Sequence, residues 1–244
     1  MNKLVIIGAS GHGKVVADIA VKNGYKEIVL LDDNEKIKEC GGYPVVGKCF
    51  NAMNMDADII VGIGNPEIHK RIQESLDNKR IVTLVHPDAV VADGVTIGNG
   101  TVIMAGAVIN PGACIGEGCI INTCASVDHD CKVRNYVHVA VGSHLCGNVD
   151  VGEKTWIGAG VVINNNVSIC RECMIGAGAV VLRNIEKTGT YVGIPAKEVD
   201  IKHRTDIPGG GYFEPVKQNI WIFISAQDRR RGCLVGGTNQ YGHA

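Results

Sequence analysis

The sequence predicts an α/β Rossmann-like half domain followed by a parallel β-helix, and three observations carry that prediction. Counting in sixes from Val91 gives an aliphatic residue at sixteen consecutive positions, through Ile97, Ile103, Ile109 and Ile115 to Ile175 and Val181, without an insertion. Four residues after many of these stands a small or thin side chain, as at Thr101, Ala107, Ala113, Cys119, Ala125, Cys131, Ser143, Thr155, Cys173 and Ala179. Before the repeat, short apolar runs alternate with segments of helical spacing.

A period of six is neither the 3.6 of a helix nor the 2 of a half-buried strand. It fits one flat side of a triangular coil, with the aliphatic residue pointing inward and the small residue keeping the interior from overfilling. Three sides make a coil, so sixteen repeats give between five and six coils. At roughly 4.8 Å per coil the prism is about 25 Å long.

Taken in order, Lys3–Gly8 reads as a buried parallel strand. A glycine loop, Gly8-Ala-Ser-Gly11-His12-Gly13, leads to a helix from Lys14 to Asn23 that Gly24 ends. Glu27–Leu31 is the second strand, finishing at Asp32-Asp33, and a looser segment around Gly41-Gly42-Tyr43-Pro44 follows. Asp58–Gly64 is the third strand, Pro66 opens a helix running to about Asn78, and Ile81–Val85 is a short strand handing over at His86-Pro87. The expected division is 1–86 for the α/β domain, 87–200 for the β-helix and 201–244 for an extension. In that extension Pro208-Gly-Gly-Gly211, Arg229-Arg-Arg231 and Gly236-Gly237 bracket the apolar patch Ile220-Trp-Ile-Phe-Ile224. Capping of the open prism end, partner docking and poor order all remain open for it.

The glycine loop lets a strand turn tightly into a helix, so that amide N–H groups face an anion at the positive helix end. Its spacing is not G-x-G-x-x-G, which weakens a nicotinamide reading. Asp32 and Asp33 stand where a carboxylate can accept from ribose hydroxyls or a base N–H, and Gly64-Asn65 closes the same crevice. The alternative for this loop is a plain tight βα turn.

The 244 residues are 45% hydrophobic and 20% charged with net charge −1, which leaves no broad basic surface for nucleic acid. No apolar run approaches the roughly 20 residues that cross a bilayer, and the amino terminus reads as a strand rather than a signal peptide. Cys119, Cys131 and Cys173 occupy the small-residue position, where a thiol acts as a small hydrophobe, and this usage points to a reducing cytoplasm. Cys170-Arg-Glu-Cys173 has the spacing of half a zinc site without a partner pair.

The hexapeptide stretch resembles the left-handed β-helix acyltransferases of the hexapeptide-repeat family, and handedness comes from that resemblance. With Gly-Ala-Ser-Gly-His-Gly, Leu31-Asp32-Asp33, Ile63-Gly64-Asn65 and the closing Val192-Gly193-Ile194-Pro195-Ala196-Lys197, residues 1 to about 200 are similar to the UDP-4-amino-sugar N-acetyltransferases of the bacillosamine pathway. Sialic-acid O-acetyltransferase-like proteins share the build. The resemblance implies a homotrimer with acetyl-coenzyme A between neighbouring prisms and UDP held by the amino-terminal domain. Ser10, Gly11, His12, Asp32, Asp33 and Gly64 are the matching nucleotide contacts.

Acetyl transfer from a thioester to an amine needs a base and donors for the tetrahedral oxyanion, with no covalent intermediate and no metal. Asp128-His129-Asp130 interrupts the aliphatic pattern with a histidine between two carboxylates, a group suited to the base role. By resemblance His129 is the base, Asp130 polarises it where glutamate is usual, and His138 touches the acetyl thioester. Ala159 and Ala177 match backbone contacts along the pantetheine arm. Two readings of other classes remain: a zinc hydratase using His129, His138 and His144, and a non-catalytic nucleotide-sugar-binding module.

Overall fold

The computed structural model describes residues 2–76 and 80–199. The sequence features of the 201–244 extension, and the segment where the second helix was expected to end near Asn78, lie outside the described residues.

The amino-terminal domain runs β1 (Lys3–Ile7), α1 (Gly11–Lys22), β2 (Glu27–Leu31), β3 (Glu39–Cys40), β4 (Tyr43–Gly47), β5 (Asp58–Val61) and α2 (Pro66–Glu74). Its sheet order is β3-β4-β2-β1-β5, parallel except for the edge hairpin of β3 on β4. The first helix starts three residues earlier than the sequence suggests, at Gly11, so His12 and Gly13 belong to its first turn. Glycine at 13 is required for approach rather than for flexibility. A Cβ there would press into the Gly8 carbonyl oxygen, and the Gly62 backbone packs against the same spot. Gly13→Ala is expected to destabilise the domain by about 1–3 kcal/mol, read as a fall in thermal midpoint.

The loose segment after β2 is a further difference. Gly41 and Gly42, at φ +64° and +86°, turn the chain tightly and add β3 and β4 to the sheet. Pro44 is tolerated in β4 because it stands opposite Glu39 of the edge strand β3.

β6 (Leu84–Val85) begins the prism. Sixteen two-residue strands from Val90–Val91 to Val180–Val181 follow at six-residue intervals, each parallel to the strand 18 residues on, as Val108 pairs with Ser126. They form three faces of a left-handed β-helix. The first carries Leu84–Val85, Val102–Ile103, Ile120–Ile121, His138–Val139, Trp156–Ile157 and Met174–Ile175; the second begins at Val90–Val91 and the third at Thr96–Ile97. The aliphatic residues from Ile103 to Val181 are buried in one continuous core.

Every small residue named above is buried, and the polar ones have hydrogen-bond partners. Thr101 donates to the Gly116 carbonyl at 2.8 Å, Ser143 to Gly158 at 2.7 Å and Thr155 to Cys170 at 3.0 Å. Cys119 and Cys131 donate likewise to Arg134 and Cys146 at 3.0 and 3.1 Å. Each bond runs 15 residues ahead to the next coil. A small donor at this position therefore satisfies a corner carbonyl inside the column. An antiparallel hairpin, Thr190–Val192 with Lys197–Val199, extends the first face beyond the last coil.

The α/β domain sits on the first face. Leu84, Val102, Met104 and Ile120 share a core with Leu4, Ile6, Val16, Ile19 and Ile28. At the adjoining corner Lys70 pairs with Glu153 at 2.6 Å and Lys154 with Glu67 at 2.8 Å.

Candidate active site

The strands β1, β2 and β5 end at one edge of the sheet, beside the glycine loop. Ser10 caps α1 without spending its hydroxyl on the helix, and the first-turn amides point out of the helix end. Asp32 is partly committed: it accepts from Ala9 N and Asn34 N, both at 2.8 Å, which ties the end of β2 to the glycine loop. Asp33 accepts from Cys49 N at 3.0 Å. Beside them lies a cavity of about 400 Å³ lined by Asp32, Asn34, Lys38, Val46, Lys48 and Phe50, among others. Phe50 is 66% exposed, an apolar ring held at the surface beside this cavity. Sequence reasoning missed Val46, Lys48 and Phe50 because the strand and turn that carry them were read as a loop.

His129 stands at the corner between the second and third faces. In the neutral ring its Nδ1 donates to Asp130 Oδ2 at 2.8 Å, leaving Nε2 without a proton beside Gly147. The shorter aspartate reaches because of its backbone. Asp130 has φ +59° in a corner column with Gly94, Gly112, Asn148 and Asn166, all left-handed, and its carboxylate closes over Gly112. Asp128 accepts from the His129 amide at 2.8 Å and from Asn110 Nδ2 at 2.7 Å, which holds its carboxyl below the usual range. The hydrogen bond to Asp130, then the charge of Asp128, raise the His129 pKa above its ordinary value. The imidazole lies flat on Gly147, where any side chain would displace it. Asn110 and Gly147 carry no motif signal; only stacking of the coils brings them to His129.

His138 points outward from the first face into the seam between the domains. It is 6% exposed, its ring 4.1 Å from Trp156 and 6.4 Å from His12, with Gly64 alongside. Burial, followed by the neighbouring His12, lowers its pKa to about 3. Burial likewise takes His12 and His69 to about 4, so all three rings are neutral at physiological pH. His69 is held by Gln73 Oε1 at 3.2 Å and edge-on to Tyr136 at 5.8 Å.

Ala159 and Ala177 stack one coil apart at the corner between the first and second faces. They are flanked by Gly158, Gly160, Gly176 and Gly178, which leaves this edge without large side chains. Gly158 has no room for a Cβ, which would lie 2.6 Å from the Ile175 carbonyl oxygen.

Within one chain the structure therefore brings together Ser10, Gly11, His12, Gly64 and His138. It does not bring His129 and Asp130 to them, since their corner is the one opposite the face that carries the α/β domain. His129, His138 and His144 lie on different sides of the prism and do not converge, and His144 is engaged with Ser126 at 2.9 Å. Among the described residues no group of three or more His, Cys, Asp or Glu is placed to hold a metal ion, and no helix is long and apolar enough to cross a membrane.

Residues 3–76 match the PglD N-terminal domain family, and residues 94–129 and 148–183 match the bacterial transferase hexapeptide (six repeats) family. The chain is 31% identical over 173 residues to GDP-perosamine N-acetyltransferase of Escherichia coli O157:H7, covering 67% of this chain and 78% of that protein. It is 35% identical over 111 residues to UDP-N-acetylbacillosamine N-acetyltransferase of Bacillus subtilis (strain 168), covering 42% of this chain and 51% of that one. The acetyltransferase domain of PglB from Neisseria gonorrhoeae FA1090, solved in complex with acetyl coenzyme A, superposes with a TM-score of 0.79 at 39% identity over 81% of this chain and 99% of that chain. With the repeat, the crevice and these likenesses together, the chain belongs to the left-handed β-helix nucleotide-sugar acetyltransferases.

Proposed function

We propose that the protein transfers the acetyl group of acetyl-coenzyme A to the 4-amine of a UDP-linked amino-deoxy sugar, with His129 as general base. The observation that carries the mechanism is the His129–Asp130 pair. An imidazole whose Nδ1–H is committed to a carboxylate offers Nε2 to the incoming ammonium or the developing adduct. The amine attacks the thioester carbonyl directly, the proton passes to Nε2, and the tetrahedral adduct expels the coenzyme A thiolate. Asp130 stabilises the imidazolium that forms, as its hydrogen bond raises the basicity of the ring.

The nucleotide would lie with its diphosphate at Ser10–His12 and its base in the cavity beside Phe50. His138 would face the acyl group, and the pantetheine would follow Ala159 and Ala177. Since His129 stands on the corner opposite its own α/β domain, a neighbouring copy has to supply one half of the site, and a homotrimer is the assembly we assign. Nine free cysteines among the described residues fit a reducing cytoplasm.

A second reading has one specific support: the E. coli relative is named for a GDP-linked sugar, so guanine in place of uracil is the competing base. A thiol-release assay with UDP- and GDP-linked 4-amino sugars and with sialic acid decides. Release with a UDP-amino sugar is the expected result. Release with the GDP sugar alone would move the assignment to guanine, and release with sialic acid alone would end the N-acetyl reading while the fold stands.

A further inference from the structure

We propose that Asn122 is a positioning residue that fixes His138 as the Nδ1–H tautomer, making that imidazole a hydrogen-bond donor to an acceptor oxygen bound in the interdomain crevice. The inference rests on the acetyltransferase reading for its use, and on hydrogen-bond geometry for the tautomer.

The orientation of the Asn122 amide is set by its other end. Its Oδ1 accepts from the Thr123 amide at 2.8 Å, so the group turned towards His138 is the NH₂. That NH₂ lies 3.2 Å from His138 Nε2. An NH₂ can only donate, so Nε2 must be the unprotonated nitrogen. In a neutral ring the proton then resides on Nδ1.

This Nδ1–H is buried; the Gly64 backbone carbonyl attracts it, but no hydrogen bond of acceptable geometry forms. A closed-off donor left unmet costs free energy and calls for a reason. A second unmet atom, His12 Nε2, is buried in the same seam with its ring 6.4 Å away. Two neutral rings with unmet nitrogens suit an oxygen that accepts a hydrogen bond. That oxygen is either the thioester carbonyl, where charge develops during transfer, or an oxygen of the sugar nucleotide. As a donor, His138 takes the opposite part to His129, whose proton-free Nε2 accepts. Two histidines of one repeat domain thus divide the electrophilic and basic roles, each assigned by the side chain bonded to its other nitrogen.

The test uses the full-length protein labelled with ¹⁵N-histidine, the His138 signals being assigned from their loss in His138→Gln. Wild type is expected to show the proton on Nδ1. Asn122→Asp, isosteric but offering only acceptor oxygens, is expected to move it to Nε2 and to lower kcat by roughly 10²-fold. A fall in kcat with unchanged KM values identifies the thioester carbonyl as the acceptor. A rise in the KM of the sugar nucleotide alone identifies the sugar nucleotide, and either result supports the donor role. Wild-type protein protonated at Nε2 would overturn the tautomer assignment. Asn122→Asp with the proton moved and both kcat and KM intact would overturn the donor role. Thiol release by wild type with no nucleotide sugar at all would defeat the acetyltransferase reading and the donor role with it, while the nitrogen spectra would still report the tautomer.

Discussion

Replacing His129 by alanine is expected to lower kcat for acetyl transfer by roughly 10²–10⁴-fold, the usual contribution of a positioned general base, with little change in thermal midpoint. The two halves of that expectation have separate causes. The ring is exposed and packs only over Gly147, so its loss opens no cavity in the prism. Its Nε2 is the group that would take the proton. Asp130→Asn supplies a finer reading. Without the carboxylate, His129 loses the first cause of its raised pKa, so the ring protonates at lower pH. The acid limb of the kcat/KM profile is therefore expected to move to lower pH, with a lower plateau, because the imidazolium is less well stabilised in the transition state. A limb that stays in place while activity falls would assign the titrating group to another residue.

Acid is expected to open the seam between the domains. His69 and His138 are buried neutral rings with pKa values of about 4 and about 3, against roughly 6.5 in an unfolded chain. Above 6.5 both states are unprotonated and the rings contribute no pH dependence. As the pH falls below 6.5, the unfolded chain binds protons that the folded one refuses, so stability declines. Each ring costs about 2 kcal/mol between pH 6.5 and 5 by linkage. His69→Gln combined with His138→Gln should weaken the dependence of the thermal midpoint over that interval, leaving the share due to His12, whose pKa is likewise about 4. A double variant that keeps the full acid sensitivity would place its origin outside these rings.

Much of the fold was legible because the repeat is local. An inward aliphatic every six residues, with a small donor four further on, specifies a coil without reference to any distant residue. The βαβ pattern was readable for the same reason, down to the strand ends that carry Ser10, Asp32 and Gly64. The hairpin at Gly41–Gly42 escaped because proline and glycine there read as a loop until a sheet edge is available to receive them. The start of α1 was misplaced since Gly13 reads as part of the glycine loop, when its lack of a Cβ serves the contact with Gly8.

The sequence alone marked which side chains are candidates for the chemistry, because histidine beside aspartate stands out from a monotonous repeat. Tertiary structure decided how they divide. Winding by three sides puts His138 on the face under the α/β domain and His129, nine residues earlier, on the corner turned away from it. Burial in that seam keeps the His138 imidazole neutral, whereas the hydrogen bond to Asp130 and the charge of Asp128 raise the pKa of His129. Protonation depends on solvent and neighbouring charge, and neither is set until the coils have stacked.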